Sequence, residues 1–547
     1  MFSNWLVCVC EPMKQSTVIP ALFLLLAVSS LRAATAQVDV VVYSGVPCGV
    51  AASIMAARQG AKVILIEPSR HVGGLSTSGL NTAETEHMLA WTIGGFADEF
   101  YRRLGRHYGM ERPAYEFESG VAEKTYLEML KEAGVEIRFG AALAAVRMEG
   151  ARIAAITLKD GSDLAAKVFI DAGYEGDLMA RAGVAHAVGR ESKAEFGEDL
   201  AGIRFDPEVR EAPTVDKSGN LLPGISGWQK DFKEGDAHSG VMNYNFRLTV
   251  TRDPSARVPF PEPKRYDPAR YQLLANWLKA QEGKDVMKEY GRFIDLYPRR
   301  NGKFEMNNRQ AAIFSLGHFG GQFGWPEADE VERRRIYDDH LEYTLGLLHF
   351  LTNEEVVPEN IRNDMRQLGL HSGEFADNGH LPYQLYVREG RRMRGALIMR
   401  QQDVQTERRK TGSIGMGSHF LDSHHVQRLA VSPSGFINEG RIWRIGRAYQ
   451  IPYGAITPKA AECTNLLVPG AASFTHVAYT SLRVEGKWMV TGHAAGVAAA
   501  MAVGRKIPVQ EVPVEELRET LKAQGQVVDF IPGKPETGKQ LNGPAEF

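Results

Sequence analysis

Two neighbouring histidines, His424 and His425 in DSHHVQR, are the first side chains to consider for proton transfer. An imidazole titrates near neutrality, so it can take a proton from a reacting hydroxyl and return it. A hydrogen-bonded pair with a structural role fits the same two residues. A second group is basic: Arg388, Arg391, Arg392 and Arg394 in VREGRRMRG. Read as a helix, this segment puts Arg388 and Arg392 four residues apart on one face. Guanidinium groups so placed can clamp a carboxylate or polarise a carbonyl with two parallel hydrogen bonds. A solvated basic face paired with acids such as Glu389 is the alternative. Tyr383, Tyr386 and Tyr453 offer hydrogen bonds or a surface for a sugar, though core packing accounts for each. No metal-ligand spacing accompanies the histidines, so no metal site is expected.

Such side chains need a rigid frame, and the chain carries one near its start. Residues 38–43, VDVVVY, are an apolar β-branched run bounded by turn residues, which predicts a buried parallel strand. Ser44-Gly45-Val46-Pro47-Cys48-Gly49 follows, then an Ala-rich helix over 50–59 that Gly60 ends. Residues 62–66, KVILI, give a second strand with Glu67 at its end. This is a βαβ unit of the dinucleotide-binding kind, with an acid placed for a ribose hydroxyl pair. Free backbone N–H groups and the helix dipole near Gly49 favour a pyrophosphate there. Ser44 and Val46 stand where the usual fingerprint has its first two glycines, and Gly45 supplies flexibility one position away. A strand–turn–helix without a phosphate is the alternative.

Residues 67–79 separate the two common dinucleotides. A plain NAD domain proceeds to its next helix after Glu67. Here Pro68, His71, a Gly73-Gly74 turn and hydroxyl residues from Ser76 onward suit a chain passing beneath a bulky ring system. With these residues the sequence resembles the FAD-dependent oxidoreductases of the glutathione-reductase-like superfamily, and FAD is the cofactor that the resemblance implies. It is more closely similar to exported bacterial FAD-dependent oxidoreductases, some of which carry the label xanthan lyase. The resemblance extends through FIDAGYEGDLMARAGV at 169–184, LPYQLYVREGRRMRGALIMRQQDV at 381–404 and SIGMGSHFLDSHHVQR at 413–428. It ends with IPYGAITPK at 451–459 and TNLLVPGAASFTHVAYTSLRVEGKWMVTGHAAGVAAAMAVG at 464–504.

The resemblance gives further residues a role. A strand over 168–171, ending at Asp171 and turned by Gly173, would return beside the adenosine. A strand over 465–469 turns at Gly470. A helix opening within 489–496 would aim its N-terminus, near Gly492 and Gly496, at the flavin pyrimidine. His476 and Arg483 would lie close to the isoalloxazine, and His476 joins His424, His425, Arg388 and Arg392 as a catalytic candidate. His71 raises a covalent flavin link through imidazole, against a simple hydrogen bond to the ribityl chain.

Composition narrows the class. Of 547 residues, 44% are hydrophobic and 24% charged, which excludes a disordered or collagen-like chain and a multi-span membrane protein. Lys plus Arg number 64 against 66 for Asp plus Glu, so no global field attracts nucleic acid. The apolar run 18–28 follows Lys14 and precedes Ala34-Thr35-Ala36, the pattern of a cleaved secretory signal over 1–36, with the true start at Met13. An uncut anchor is the alternative. An exported protein, periplasmic or secreted, without a stable membrane span follows from cleavage. Of the four cysteines, only Cys48 and Cys463 would remain, too few for a disulfide scaffold.

The expected fold is α/β, with a Rossmann-like, glutathione-reductase-type FAD-binding domain that is discontinuous in sequence. Its parts are 37–190 and 441–510, interrupted by an α+β substrate or cap domain over 191–440 and followed by an extension over 511–547. Long helices over 269–280 and 331–351 belong to the insertion. The leading function is hydride transfer between flavin and an unidentified small, sugar-derived substrate, with an unknown electron acceptor. A polysaccharide lyase, a non-catalytic flavin-binding protein and a plain NAD dehydrogenase are the alternatives.

Overall fold

The computed structural model describes residues 36–281, 294–308 and 314–539. The expected transport signal, apart from Ala36, and the end of the expected extension lie outside the described residues. The described chain opens with strand β1 (Ala36–Tyr43), helix α1 (Pro47–Arg58) and strand β2 (Val63–Glu67). Helices α2 (Gly95–His107) and α3 (Ser119–Glu132) follow, then strands β3 (Glu136–Phe139), β4 (Leu143–Glu149), β5 (Arg152–Leu158) and β6 (Asp163–Asp171), and helix α4 (Asp177–Arg181).

These strands form one sheet in the order β3-β2-β1-β6-β5-β4. The β3-β2-β1-β6 part is parallel, and β4 and β5 run antiparallel beside it. Every residue of β2 is buried, as expected of a parallel strand covered on both faces. β6 is longer than its apolar run predicts. Its first half pairs with β5, while Phe169 and Ile170 pair in parallel with Leu466 and Leu467. One strand therefore joins the start of the chain to its last third, and the expected Rossmann-like α/β sheet is present.

α1 shows why the sequence is so rich in alanine and glycine. It is buried from Pro47 to Ala56, with no solvent face to carry polar residues. The helix Glu485–Arg505 crosses it. A Cβ on Gly492 would collide with the Cys48 carbonyl oxygen, and one on Gly496 with that of Ala52. Two glycines four apart thus let one backbone rest on the other. This corrects the expected helix start: the helix begins at Glu485, and Gly492 and Gly496 lie in its interior facing α1. The Ala-rich pattern marks the packed middle of the helix and not its beginning.

The remaining described strands build separate sheets. Five antiparallel strands lie in the order Arg257–Val258, Gly369–His371, Leu248–Thr251, Lys303–Asn308 and Ile294–Pro298. Four more join Arg210–Glu211, Gly435–Glu439, Gln427–Ser432 and Gly227–Trp228. The expected long helices are present as Gln272–Ala280 and Glu330–Asn353. Asp329 starts the second by accepting a hydrogen bond from the Glu332 amide. Cys48 and Cys463 are buried and unbridged.

The segment expected to be a helix around Arg388–Arg394 is not one. It runs irregularly into a short strand, Arg392–Met393, paired with His186–Ala187. Helix propensity is overridden by tertiary contacts: Gly390 lies against the backbone of Tyr174 and Glu175, and the arginines point to different buried partners. Arg388 and Arg392 therefore do not share a helical face.

Candidate functional site

Three turns meet at the carboxyl edge of the parallel strands, where open α/β sheets place their ligands. The first follows β1. Ser44 has φ +78°, a left-handed conformation that explains why glycine is usual there. A Cβ on Gly49 would collide with the Ser44 carbonyl oxygen, so only glycine closes this turn. α1 begins at Pro47 with no side-chain cap. The second turn follows β2. The buried Glu67 carboxylate accepts from the Gly45 amide at 2.7 Å and the Ser69 amide at 2.6 Å. Gly73 (φ +97°) donates its amide to the Gly45 carbonyl at 2.7 Å, tying the first two turns together. Gly74 packs against Pro47 and the Tyr174 hydroxyl. The third turn follows Leu466–Leu467. The Gly470 carbonyl accepts from the Tyr479 hydroxyl and the Trp488 indole, and its Cα lies on the Ala172-Gly173 turn.

This edge suits a dinucleotide. It has an acid at the end of β2, glycines where backbone must approach closely, and an uncapped helix start. Ser78 is buried with its hydroxyl unpartnered among the described residues, as is one oxygen of Glu485. The other Glu485 oxygen accepts from Tyr174 at 2.6 Å, and burial pushes the carboxyl up to about 8. Ser76 is buried beside the same turn, and Pro68 is exposed. Asp171 faces inward: it accepts from the amides of Met179 and Gly173 at 2.8 and 3.2 Å, and burial pushes it up to about 7. His71 stacks on Tyr383 with ring centroids 3.4 Å apart. Its two nitrogens lie 3.0 Å from Glu123 and 3.2 Å from Asp377, so carboxylates take both positions.

A buried polar cluster is formed by residues 386–392, 422–424 and 476–483. The His476 Nδ1 lies 2.9 Å from Glu389, and its Nε2 lies 3.3 Å from the Ser423 hydroxyl. Since a carboxylate only accepts, Nδ1 carries a proton, and Nε2 faces the Ser423 hydroxyl, which also reaches the His424 carbonyl at 3.3 Å. Arg392 holds Glu389 at 2.8 Å and Glu191 at 2.8 Å, and Glu191 also accepts the His476 amide at 2.9 Å. Arg483 grips Asp422 at 3.0 Å and reaches the Tyr386 hydroxyl at 3.3 Å.

The same logic orients His424. Arg388 is a donor only, so Asn308 must turn its Oδ1 to it, at 3.0 Å. The Asn308 amide then donates to the His424 Nδ1 at 3.0 Å, leaving the proton on Nε2. Burial, and then the Arg388 guanidinium, push His424 well below the ordinary imidazole range. Its neutral ring presents an N–H, not a base, toward Asp422, 3.7 Å away.

His425 leaves the cluster. Neighbours on an extended chain point to opposite sides, and His425 meets Asp206 at 3.0 Å instead. Of the sequence-derived catalytic candidates, Arg388, Arg392, His424 and His476 come together. Glu389, Asp422, Ser423, Asn308 and Glu191 join them without having been singled out for catalysis. An acid or serine gives no periodic signal, and these partners are brought in by long-range contacts. His493 is a packed histidine, receiving the Phe96 amide at 3.2 Å and touching Gln524 at 2.7 Å.

Lys487, two residues beyond Glu485, is buried and donates to Thr92 at 2.6 Å. Burial pushes it down to about 7. The folded state therefore binds fewer protons than the unfolded state from about pH 7 to the ordinary lysine value, and its contribution to stability rises with pH across that window. Lys487→Met is expected to raise the melting temperature most at pH 6–7, by the equivalent of about 2 kcal/mol, with the gain shrinking by pH 9. A pH-independent difference in calorimetry would contradict this.

Among the described residues no helix is long and apolar enough to cross a membrane. No curated protein matches the chain. The sequence profile described as FAD dependent oxidoreductase matches residues 39–521. Among solved structures, a geranylgeranyl bacteriochlorophyll reductase-like protein from Thermoplasma acidophilum is 12% identical over 90% of this chain and 85% of its own, with a TM-score of 0.34. THI4 from Thermovibrio ammonificans is 18% identical over 28% of this chain and 66% of its own, at 0.21. Lactococcus lactis thioredoxin reductase is 19% identical over 24% and 34%, at 0.17. These last two are thus matched over less than two thirds of their own length. The profile spans far more than half of the chain, and the protein accordingly belongs to the FAD dependent oxidoreductase family, whose members work with FAD.

Proposed function

We propose that the protein exchanges a hydride between FAD and a small hydroxylated, sugar-derived substrate, with His476 holding the accompanying proton. The observation that carries this reading is the Ser423–His476–Glu389 relay, on the segment leading directly into the Glu485–Arg505 helix. Bound FAD would supply the hydride acceptor or donor. Glu67 would hold its ribose, and the Gly45–Gly49 turn with the start of α1 its pyrophosphate. The Gly73-Gly74 and Gly470 turns would line the remainder.

The chain's own residues then manage the proton. Glu389 keeps the His476 proton on Nδ1, so Nε2 stays free to accept. A substrate hydroxyl gives its proton to Nε2, directly or through the Ser423 hydroxyl. Arg392 and Glu191 fix Glu389 and the backbone of His476. Residues 191–440 would supply the substrate-facing walls. Export is part of the proposal, supported by the apolar run 18–28 and Ala34-Thr35-Ala36.

The test is the visible spectrum of the purified protein before and after acid precipitation, followed by anaerobic bleaching with hydroxy compounds. The expected result is a flavin spectrum that moves to the supernatant and bleaches with a substrate. A protein without flavin even after reconstitution would overturn the reading. Substrate consumed while the flavin stays unchanged would favour the lyase.

A further inference from the structure

We propose that Arg388 is the seat of a substrate carboxylate, so that the substrate is a hydroxy acid and not a neutral alcohol or sugar. This rests on the function proposed above and names the substrate class of that site.

Buried guanidinium groups are normally paired with carboxylates. Around Arg388 the rule holds: Arg483 has Asp422, Arg392 has Glu191 and Glu389, Arg247 has Glu305, and Arg190 has Glu439. Arg388 is fully buried and has no carboxylate partner among the described residues. It donates only to neutral oxygens: the Asn243 carbonyl at 2.7 Å, Asn245 at 2.6 Å and Asn308 at 3.0 Å. Its Nε is unpartnered.

Cation–π contact does not replace the missing charge. Arg388 lies 4.3 Å from the Tyr386 ring, but Arg247 approaches the same ring at 5.6 Å and Arg483 its hydroxyl. Arg428, also buried, differs: it sits between Phe314 and Phe319, at 4.4 and 4.2 Å. Asp422, the carboxylate Arg388 feels, is already gripped by Arg483. Half-buried Glu84 acts on Arg247, Arg483 and Tyr386. Glu191, Glu389 and Asp422 are all held by Arg392 or Arg483, so of these three arginines Arg388 alone is left without a charged partner among the described residues and keeps an open Nε–H for one.

The anchor also stands next to the relay. Arg388 feels the Arg483 guanidinium, and Arg483 in turn feels Glu389, the relay's carboxylate. A carboxylate held by Arg388 would place a nearby hydroxyl of the same small molecule toward His476.

The experiment uses the FAD-loaded protein in low-chloride buffer. Glycolate and D-gluconate are titrated against their neutral counterparts, ethylene glycol and glucose. The flavin difference spectrum and the melting temperature are followed. The acids are expected to bind and the neutral compounds not. Arg388→Gln should weaken acid binding by at least about thirtyfold with flavin content unchanged. Arg388→Lys, which keeps the charge without the fork, should fall between and serves if the glutamine variant does not fold. Acids binding no better than chloride or the neutral compounds would overturn the proposal. So would unchanged acid affinity in a variant that has lost FAD or shifted its flavin potential, since Arg388 would then balance the cofactor. Absence of flavin from the wild type strikes the proposed function alone. An acid-dependent rise in melting temperature that Arg388→Gln abolishes would still establish the anion site.

Discussion

Replacing Glu389 by glutamine is expected to slow flavin reduction by the substrate about 10²–10⁴-fold while FAD stays bound. The substitution keeps the shape of the side chain, and Arg392 retains Glu191. What changes is the direction of one proton. The glutamine amide can donate to the His476 Nδ1, which moves the imidazole proton to Nε2 and removes the lone pair facing Ser423. The fall should appear in the limiting rate of anaerobic stopped-flow bleaching and much less in the substrate concentration needed. Glu389→Asp, which restores an acceptor, should recover part of the rate. A glutamine variant as fast as wild type, with full FAD content, would remove His476 from the chemistry.

The second large effect is expected at Gly492. Gly492→Ala should destabilise the protein by about 3 kcal/mol or more and weaken FAD retention. The added methyl has nowhere to go, because it meets the Cys48 carbonyl oxygen on α1, a backbone atom that cannot rotate away. Displacing α1 also displaces the turn at Gly45–Gly49. Gly504→Ala on the same helix is the control: nothing lies within 4 Å of its Cβ position, so that change should be neutral or stabilise by up to about 1 kcal/mol. Urea midpoints of the two variants decide the matter. Equal midpoints would show that the two helices do not pack through Gly492.

The two variants also show where the sequence was legible. β1, α1, β2 and Glu67 follow from local pattern, because a buried strand and an acid at its end are written in consecutive residues. Ser44 reads as a defect in the glycine fingerprint, yet its backbone adopts the glycine-like conformation all the same, so the departure is chemical and not geometric. Gly492 was misread for a physical reason. A small residue against a cofactor and a small residue against a helix backbone leave the same trace, and only the partner tells them apart. The helix over Arg388–Arg394 failed because Gly390 is pressed against Tyr174 and Glu175 by contacts more than two hundred residues away in sequence. His424 and His425 look equivalent as letters. On an extended chain they cannot be, and one meets Asn308 while the other meets Asp206. The relay partners were hidden because Glu389 and Ser423 acquire meaning only when His476 arrives between them.

The crossing of α1 by the Glu485–Arg505 helix also sets a timetable for biosynthesis. α1 leaves the ribosome long before the helix that covers one of its faces. At translation rates of about 5–20 residues per second, roughly 20–90 s separate the two. During that interval the nascent chain carries an apolar helix with one face uncovered, together with a sheet missing the Leu466–Leu467 strand. Docking of the two helices therefore waits on synthesis of the residues between them. Chains interrupted before Gly496 lack the glycines that seat the crossing helix on α1, and they are expected clients for chaperones or proteases.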